Sequence, residues 1–329
     1  MVQNLRRPTF APPKLPGTTA MDLRLTIAQT NPALGDFHKN LDNHLRQIRA
    51  ATAEGADLIL FPELSLTGYF LKDQVFDLGI DPEGPELEPL RSLSRGISIV
   101  AGFVERSPDG RLYNCLGFFE DGKLLAKHRK VHLVSYGMFD ETRDFAAGED
   151  WDVVESRLGR FGLFLCEDLW HLEGQYLRLL AGVDAFLVAS AGPGRGVGPD
   201  GAGIHPDLAG QGKLYGEEGE AVHEFESVGT WRSILTAAAL HAQCYVAWSN
   251  RVGFEDGVAF SGGSALHGPG GEQLAHLAGL DEGSMTVRLS SDELFRSRQR
   301  TPLLRDSKPW VIAKALGVMP IVEPAAPTE

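Results

Sequence analysis

An α/β fold, a mixed sheet covered by helices, is what this sequence predicts, and two observations carry it. Short apolar runs bounded by turn residues alternate with longer stretches whose apolar residues recur at helical spacing. Several of the strand-like runs are apolar throughout, as expected of sheets buried on both faces, while others face each other across short turns.

The strand-like runs span 23–28, 58–61, 97–104, 116–120 and 123–127 in the first half of the chain. In the second half they span 153–155, 161–166, 185–189, 244–249, 264–267 and 285–289. Helix-like stretches intervene at 40–54, 87–94, 173–180, 226–242 and 292–298. Asp36 is placed to cap the first helix, and Leu41, Leu45 and Ile48 give it an inward face. Asp121-Gly122, between two strand-like runs, reads as a hairpin turn. No linker divides residues 21–300, and no repeat of solenoid period is visible. Residues 1–20, with Pro8, Pro12, Pro13 and Pro16, read as a disordered leader, and 301–329 as a C-terminal extension. The Gly- and Pro-rich stretch 192–219 reads as an insertion or an active-site loop.

Composition narrows the function classes. The 329 residues carry 31 basic and 44 acidic side chains, a net charge of −13. Such a chain repels phosphate backbones and anionic membrane surfaces, so neither nucleic acid nor membrane is an expected partner. No apolar run approaches a membrane span, and no apolar core of a signal peptide follows Arg6 and Arg7. Cys115, Cys166 and Cys244 are odd in number and form no CxxC pair, which fits a reducing, cytoplasmic compartment.

Three segments carry candidate chemistry. The run 161–166 ends at Cys166, where a strand-to-helix turn can offer backbone N–H groups to a thiolate. A buried cysteine closing a strand is the plainer alternative. The run 58–61 delivers Glu63, whose apolar neighbours Phe61 and Leu64 would raise its pKa toward that of a general base. It could equally be a surface carboxylate. Lys130 follows a third run and could hold a developing negative charge, or belong to a solvated basic turn. His128 and His132 are four apart, but Arg129 stands where a zinc HExxH motif needs Glu, so no metal is expected.

Taken together, these segments resemble the nitrilase, or carbon–nitrogen hydrolase, superfamily. The matching stretches are Phe61-Pro62-Glu63 with Gly68-Tyr69, then Arg129-Lys130-Val131-His132-Leu133, then Leu165-Cys166-Glu167-Asp168. The likeness continues through Ser249-Asn250-Arg251-Val252-Gly253 and Phe260-Ser261-Gly262-Gly263-Ser264 and covers roughly residues 21–300. It implies a four-layer α-β-β-α sandwich with two mixed sheets, forming a homodimer or higher homo-oligomer. It implies Cys166 as nucleophile, Glu63 as general base and Lys130 as stabiliser of the tetrahedral intermediate, together with a backbone N–H near Glu167. No metal or organic cofactor is implied.

Within the superfamily, Tyr136-Gly137-Met138-Phe139-Asp140-Glu141 and Cys166-Glu167-Asp168-Leu169-Trp170 resemble the glutaminase domain of glutamine-dependent NAD synthetase. Tyr136, Phe139, Glu141, Glu167 and Trp170 become candidate substrate-binding residues. Glu141 is also the second acidic residue that often supports the lysine in this superfamily. The 189–196 stretch departs from the glutaminase pattern and is similar to stand-alone bacterial members. Its Arg195 suits a substrate carboxylate, or is an exposed loop arginine. His171 is a weaker candidate, since the resemblance gives the base role to Glu63. The expected substrate is a small amide or nitrile, the same residue set serving both. The alternatives are an ammonia-supplying glutaminase subunit or a non-catalytic interaction protein. The helix after Cys166 and residues 310–320 are candidate subunit contacts.

Overall fold

The computed structural model describes residues 21–195 and 225–318. The expected leader, residues 1–20, and residues 196–219 of the Gly-rich segment lie outside them. Strands β1 (Asp22–Gln29), β2 (Leu58–Leu60), β3 (Ser98–Arg106), β4 (Leu112–Glu120), β5 (Lys123–Arg129), β6 (Val153–Ser156) and β7 (Gly159–Leu165) come first. Then follow β8 (Ala185–Ser190), β9 (Tyr245–Asn250), β10 (Val252–Glu255), β11 (Val258–Ser261), β12 (Ala265–His267), β13 (Gln273–His276) and β14 (Gly283–Ser290). The helices are α1 (Phe37–Ala53), α2 (Val75–Leu78), α3 (Glu88–Leu93), α4 (Glu141–Asp144), α5 (Leu172–Ala181), α6 (Glu226–Ala242), α7 (Ser291–Arg300), α8 (Leu303–Asp306) and α9 (Pro309–Ala315).

Two six-stranded sheets form, in the orders β14-β1-β2-β3-β4-β5 and β13-β12-β9-β8-β7-β6. Each has the same plan. Three parallel strands in the middle (β1, β2, β3 or β7, β8, β9) are extended by antiparallel neighbours on both sides. In each half, helices connect the parallel strands, as α1 does for β1 and β2 and α5 for β7 and β8.

Side-chain alternation then sets the layers. Leu25 and Ile27 of β1, Leu58 and Leu60 of β2 and Val100 of β3 pack in one core with Leu163, Leu165 and Leu187 of the second sheet. The residues between them, Ile59, Ile99 and Ala101, pack outward on Leu41 and Ile48 of α1 and Leu90 of α3. Phe164, Phe186 and Val188 share a core with Trp231, Leu235 and Ala239 of α6. The result is the α-β-β-α sandwich. Asp36 caps α1 by accepting from the Lys39 N–H at 3.0 Å. Asp121 and Gly122 both adopt positive φ, +53° and +83°, in the turn between β4 and β5.

The sequence pattern missed three strands. β10 and β11 form a short hairpin outside both sheets, and Gly253 interrupts its apolar pattern. β13 is an edge strand with mostly exposed side chains, so it lacks an apolar run. β4 begins at Leu112 rather than at residue 116, because polar Asn114 lies buried inside it.

Candidate active site

Glu63 follows the C-terminal end of β2, Lys130 that of β5 and Cys166 that of β7. β5 runs antiparallel to β4, which runs antiparallel to β3, so β5 points the same way as β2. Glu63 and Lys130 therefore emerge at one edge of the first sheet, the carboxyl edge where open α/β sheets bind ligands.

Glu63, Lys130 and Glu141 form a buried array, with Glu63 1% exposed and Lys130 0% exposed. Lys130 Nζ donates to Glu63 Oε1 at 2.7 Å and to Glu141 Oε1 at 2.6 Å. Asn114 Nδ2 donates to Glu63 Oε1 at 2.8 Å, and the Ala191 N–H to Glu63 Oε2 at 2.8 Å. The Tyr69 hydroxyl donates to Glu141 Oε1, and the Val134 N–H to Glu141 Oε2 at 2.9 Å. A carboxylate oxygen has two lone pairs and an ammonium three protons. Among the described residues, Glu63 Oε2 thus keeps one acceptor direction and Lys130 keeps one proton.

Electrostatics follow from this packing. Burial raises the Glu63 pKa, and Glu141 adds to the effect while Lys130 opposes it. Burial disfavours the Lys130 charge, but Glu141 and Glu63 outweigh it and hold its pKa well above the usual lysine value. Burial, then the Glu63 charge, push the Cys166 thiol well above its ordinary range. The resting thiol is neutral and needs a base to become a nucleophile.

Cys166 is half-buried and adopts φ +47°, a left-handed conformation unusual for a side-chain-bearing residue. Asp168, fully buried, fixes this turn. Its carboxylate accepts from His128 Nε2 at 2.8 Å, the Val131 and His132 N–H groups at 3.1 and 2.9 Å, His132 Nδ1 at 3.2 Å and the Leu165 N–H at 3.2 Å. The cysteine turn and the lysine turn are thereby tied together. Burial works against the Asp168 charge, but the hydrogen bonds from His128 and His132 outweigh it and keep the pKa far below the usual carboxylate range.

Cys166 opens into a cavity of about 250 Å³. Tyr136, Phe139, Glu167, Trp170 and Arg195, all expected from the sequence, line it. The Tyr136 hydroxyl donates to both Glu167 oxygens at 3.1 Å. The Arg195 guanidinium lies over the Phe139 ring, 5.3 Å from its centroid. Glu141 is placed differently: it is buried on Lys130 and is not among the residues lining this cavity. The sequence reading missed Glu226, Thr230 and Trp231 of α6 in the cavity wall, and Asn114 and Asp168 behind it. A polar Asn114 within an apolar strand was the visible signal for one of them.

His132, His171 and Glu173 bring donor atoms within 4.8 Å of one another. The two imidazoles are stacked, 3.6 Å apart and 3° from parallel. Ring nitrogens present their lone pairs in the ring plane, and two parallel planes share no point at which one metal could sit. His171 Nε2 lies 3.6 Å from Glu167 Oε1.

The family model for Carbon-nitrogen hydrolase matches residues 24–298. The chain belongs to the carbon–nitrogen hydrolase family. It is an enzyme of that kind, a member of the nitrilase superfamily. The hydrolase is 31% identical over 277 residues to the glutamine-dependent NAD(+) synthetase of Thermotoga maritima, which covers 83% of this chain and 43% of that protein. The chain thus spans less than half the length of that relative. It is 29% identical over 291 residues to a hydrolase in the pqqF 5' region of Pseudomonas protegens, covering 87% of this chain and 90% of that one. A solved structure of a mutant of the amidase from Nesterenkonia sp. AN1 shows covalent addition of the acetamide moiety of fluoroacetamide at the active-site cysteine. It aligns with a TM-score of 0.67 at 23% identity, covering 89% of this chain and 96% of that one, a likeness of fold. No helix among the described residues of the hydrolase is long and apolar enough to cross a membrane.

Proposed function

We propose that the hydrolase converts a small amide to its carboxylic acid and ammonia through a thioester on Cys166. The observation that carries this reading is the buried Glu63–Lys130–Glu141 array at the carboxyl edge of the first sheet, with one acceptor direction and one ammonium proton left over, close enough to Cys166 at the end of β7 in the second sheet for its charges to act on the thiol. The open lone pair of Glu63 takes the thiol proton. The thiolate attacks the amide carbonyl carbon, and the free proton of Lys130 and a backbone N–H near Glu167 hold the resulting oxyanion. Protonated Glu63 returns its proton to the departing nitrogen, the C–N bond breaks and ammonia leaves. Water then gives a proton to Glu63 and attacks the thioester, and collapse releases the acid and restores the thiol.

The cavity suits a small substrate, and Arg195 at its wall fits an amide bearing a remote carboxylate. Tyr136, Phe139, Glu167 and Trp170 are the other proposed substrate contacts. The 31% identity to an NAD synthetase favours a second reading, in which the ammonia passes to a separate synthetase partner. Leu172 and Leu177 of α5 and Trp310 and Leu316 near the C-terminus are exposed, which supports a homodimer through those surfaces. The three free cysteines suit a reducing, cytoplasmic setting.

The test is ammonia release from a panel of amides, N-carbamoyl compounds and nitriles, with Cys166→Ala as control. Turnover of an amide that disappears in the variant supports the reading. Turnover of nitriles alone, or of nothing on the panel, rejects it.

A further inference from the structure

The β10–β11 hairpin belongs to neither sheet, yet it touches two parts of the cavity wall. On one side the Gly194 N–H donates to the Ala259 carbonyl at 2.8 Å, and the Ser261 N–H to the Gly192 carbonyl at 3.0 Å. On the other, Glu255 Oε1 accepts from the backbone N–H groups of Tyr69 and Phe70 at 2.7 and 2.5 Å. Glu255 Oε2 accepts from Arg251 Nη1 at 2.5 Å, and both side chains are buried. The Arg251 guanidinium also lies over the Phe260 ring, 3.9 Å from its centroid, which fixes it against β11. The approach is close: a Cβ on Gly68, at φ +84°, would fall 3.0 Å from Glu255 Oε2 and 2.8 Å from the Leu34 Cα.

A buried ion pair in a surface hairpin is costly to maintain for stability alone. Its contacts lead inward. Glu255 holds the backbone of Tyr69, the Tyr69 hydroxyl donates to Glu141, and Glu141 accepts from Lys130. We propose that Arg251 and Glu255 are positioning residues, whose ion pair fixes Tyr69 so that its hydroxyl holds Glu141 on Lys130. Neither side chain is among those lining the Cys166 cavity, so they act through the residues they hold.

The inference rests on the reading of Cys166 as nucleophile, so the probe is chosen to need no amide. The second-order rate of iodoacetamide labelling at Cys166 is measured at pH 7 by peptide mass spectrometry. An unreactive Cys166 in the unaltered protein would count against the nucleophile itself, separately from the relay. Glu255→Leu and Tyr69→Phe should each slow labelling about tenfold, and the double variant should be slowed little further, because contacting residues of one network are non-additive. A core change elsewhere, Leu294→Ala on α7, chosen for a similar loss of melting temperature, should combine additively with Tyr69→Phe. If Glu255→Leu does not fold, Arg251→Lys takes its place in the same cycle. Additive slowing of about a hundredfold in the double variant, or unchanged labelling in Glu255→Leu, overturns the relay.

Discussion

Lys130 Nζ sits 2.7 Å from Glu63 Oε1, and both side chains are sealed from solvent. With Glu141 Oε1 at 2.6 Å on its other side, one ammonium compensates two buried carboxylates. The array carries net negative charge when all three groups are ionised, which is why burial and mutual repulsion raise the Glu63 pKa. A carboxylate held this way is disposed to take a proton from a neutral thiol.

Removing the cation should therefore be more damaging than removing a surface lysine. Lys130→Met leaves two buried carboxylates without a counter-ion and should cost about 3–5 kcal/mol at pH 7. Urea unfolding should show that deficit narrowing as the pH falls and the carboxylates protonate. Ammonia release should be abolished throughout.

Glu63→Gln keeps the shape of the side chain but removes its basicity. It should lower kcat at least about 100-fold, as for loss of a general base. In the proposed mechanism the basic form of Glu63 is the active one. Because its pKa is raised, kcat/KM should fall with decreasing pH at a value above the ordinary glutamate value of 4.5, read from the acid limb of the profile.

His44 supplies a pH dependence unrelated to catalysis. It is buried on α1, with Nδ1 2.7 Å from the Asn40 carbonyl and Nε2 2.9 Å from Ser65 Oγ, and burial lowers its pKa to about 4. The unfolded chain binds a proton at this residue near pH 6.5 while the folded chain does not, so stability is full above that value. It should drop by about 3 kcal/mol as the pH falls to 4, and a His44→Asn variant should lose less over the same interval in urea unfolding.

Asp168→Asn replaces an acceptor of five hydrogen bonds by a group that must present N–H to some of those donors. The loss should be about 3 kcal/mol, as for charged hydrogen bonds left unmade. Since Asp168 ties the Cys166 turn to the Lys130 turn, iodoacetamide labelling of Cys166 should slow as well.

Arg195→Ala tests the substrate class. For amides with a remote carboxylate KM should rise about tenfold with kcat little changed, the signature of lost uniform binding. Neutral amides should be unaffected. Equal effects on both classes would assign Arg195 to shaping the wall through Phe139.

Much of this was legible in the sequence for physical reasons. The parallel strands are buried on both faces, so 58–61, 161–166 and 185–189 stood out as apolar runs, and Glu63 and Cys166 were conspicuous at their ends. α6 was legible at both ends, residues 226 and 242. What remained hidden were contacts between distant segments. The Ala191 N–H on Glu63 is backbone and leaves no residue signature. Asp168 looked like one acidic residue beside another, and only the folded chain shows five donors converging on it. Glu226 and Trp231 line the cavity because α6 packs there, a tertiary fact that helical spacing does not encode.

The proposed thioester places an acyl group on Cys166 during turnover, where hydroxylamine can trap it. With an amide that the enzyme hydrolyses, added hydroxylamine should divert part of the product to the hydroxamate, and Cys166→Ala should form neither hydroxamate nor acid. Acid release by the unaltered enzyme with no hydroxamate at any hydroxylamine concentration, or undiminished turnover by Cys166→Ala, would rule out a thioester on Cys166.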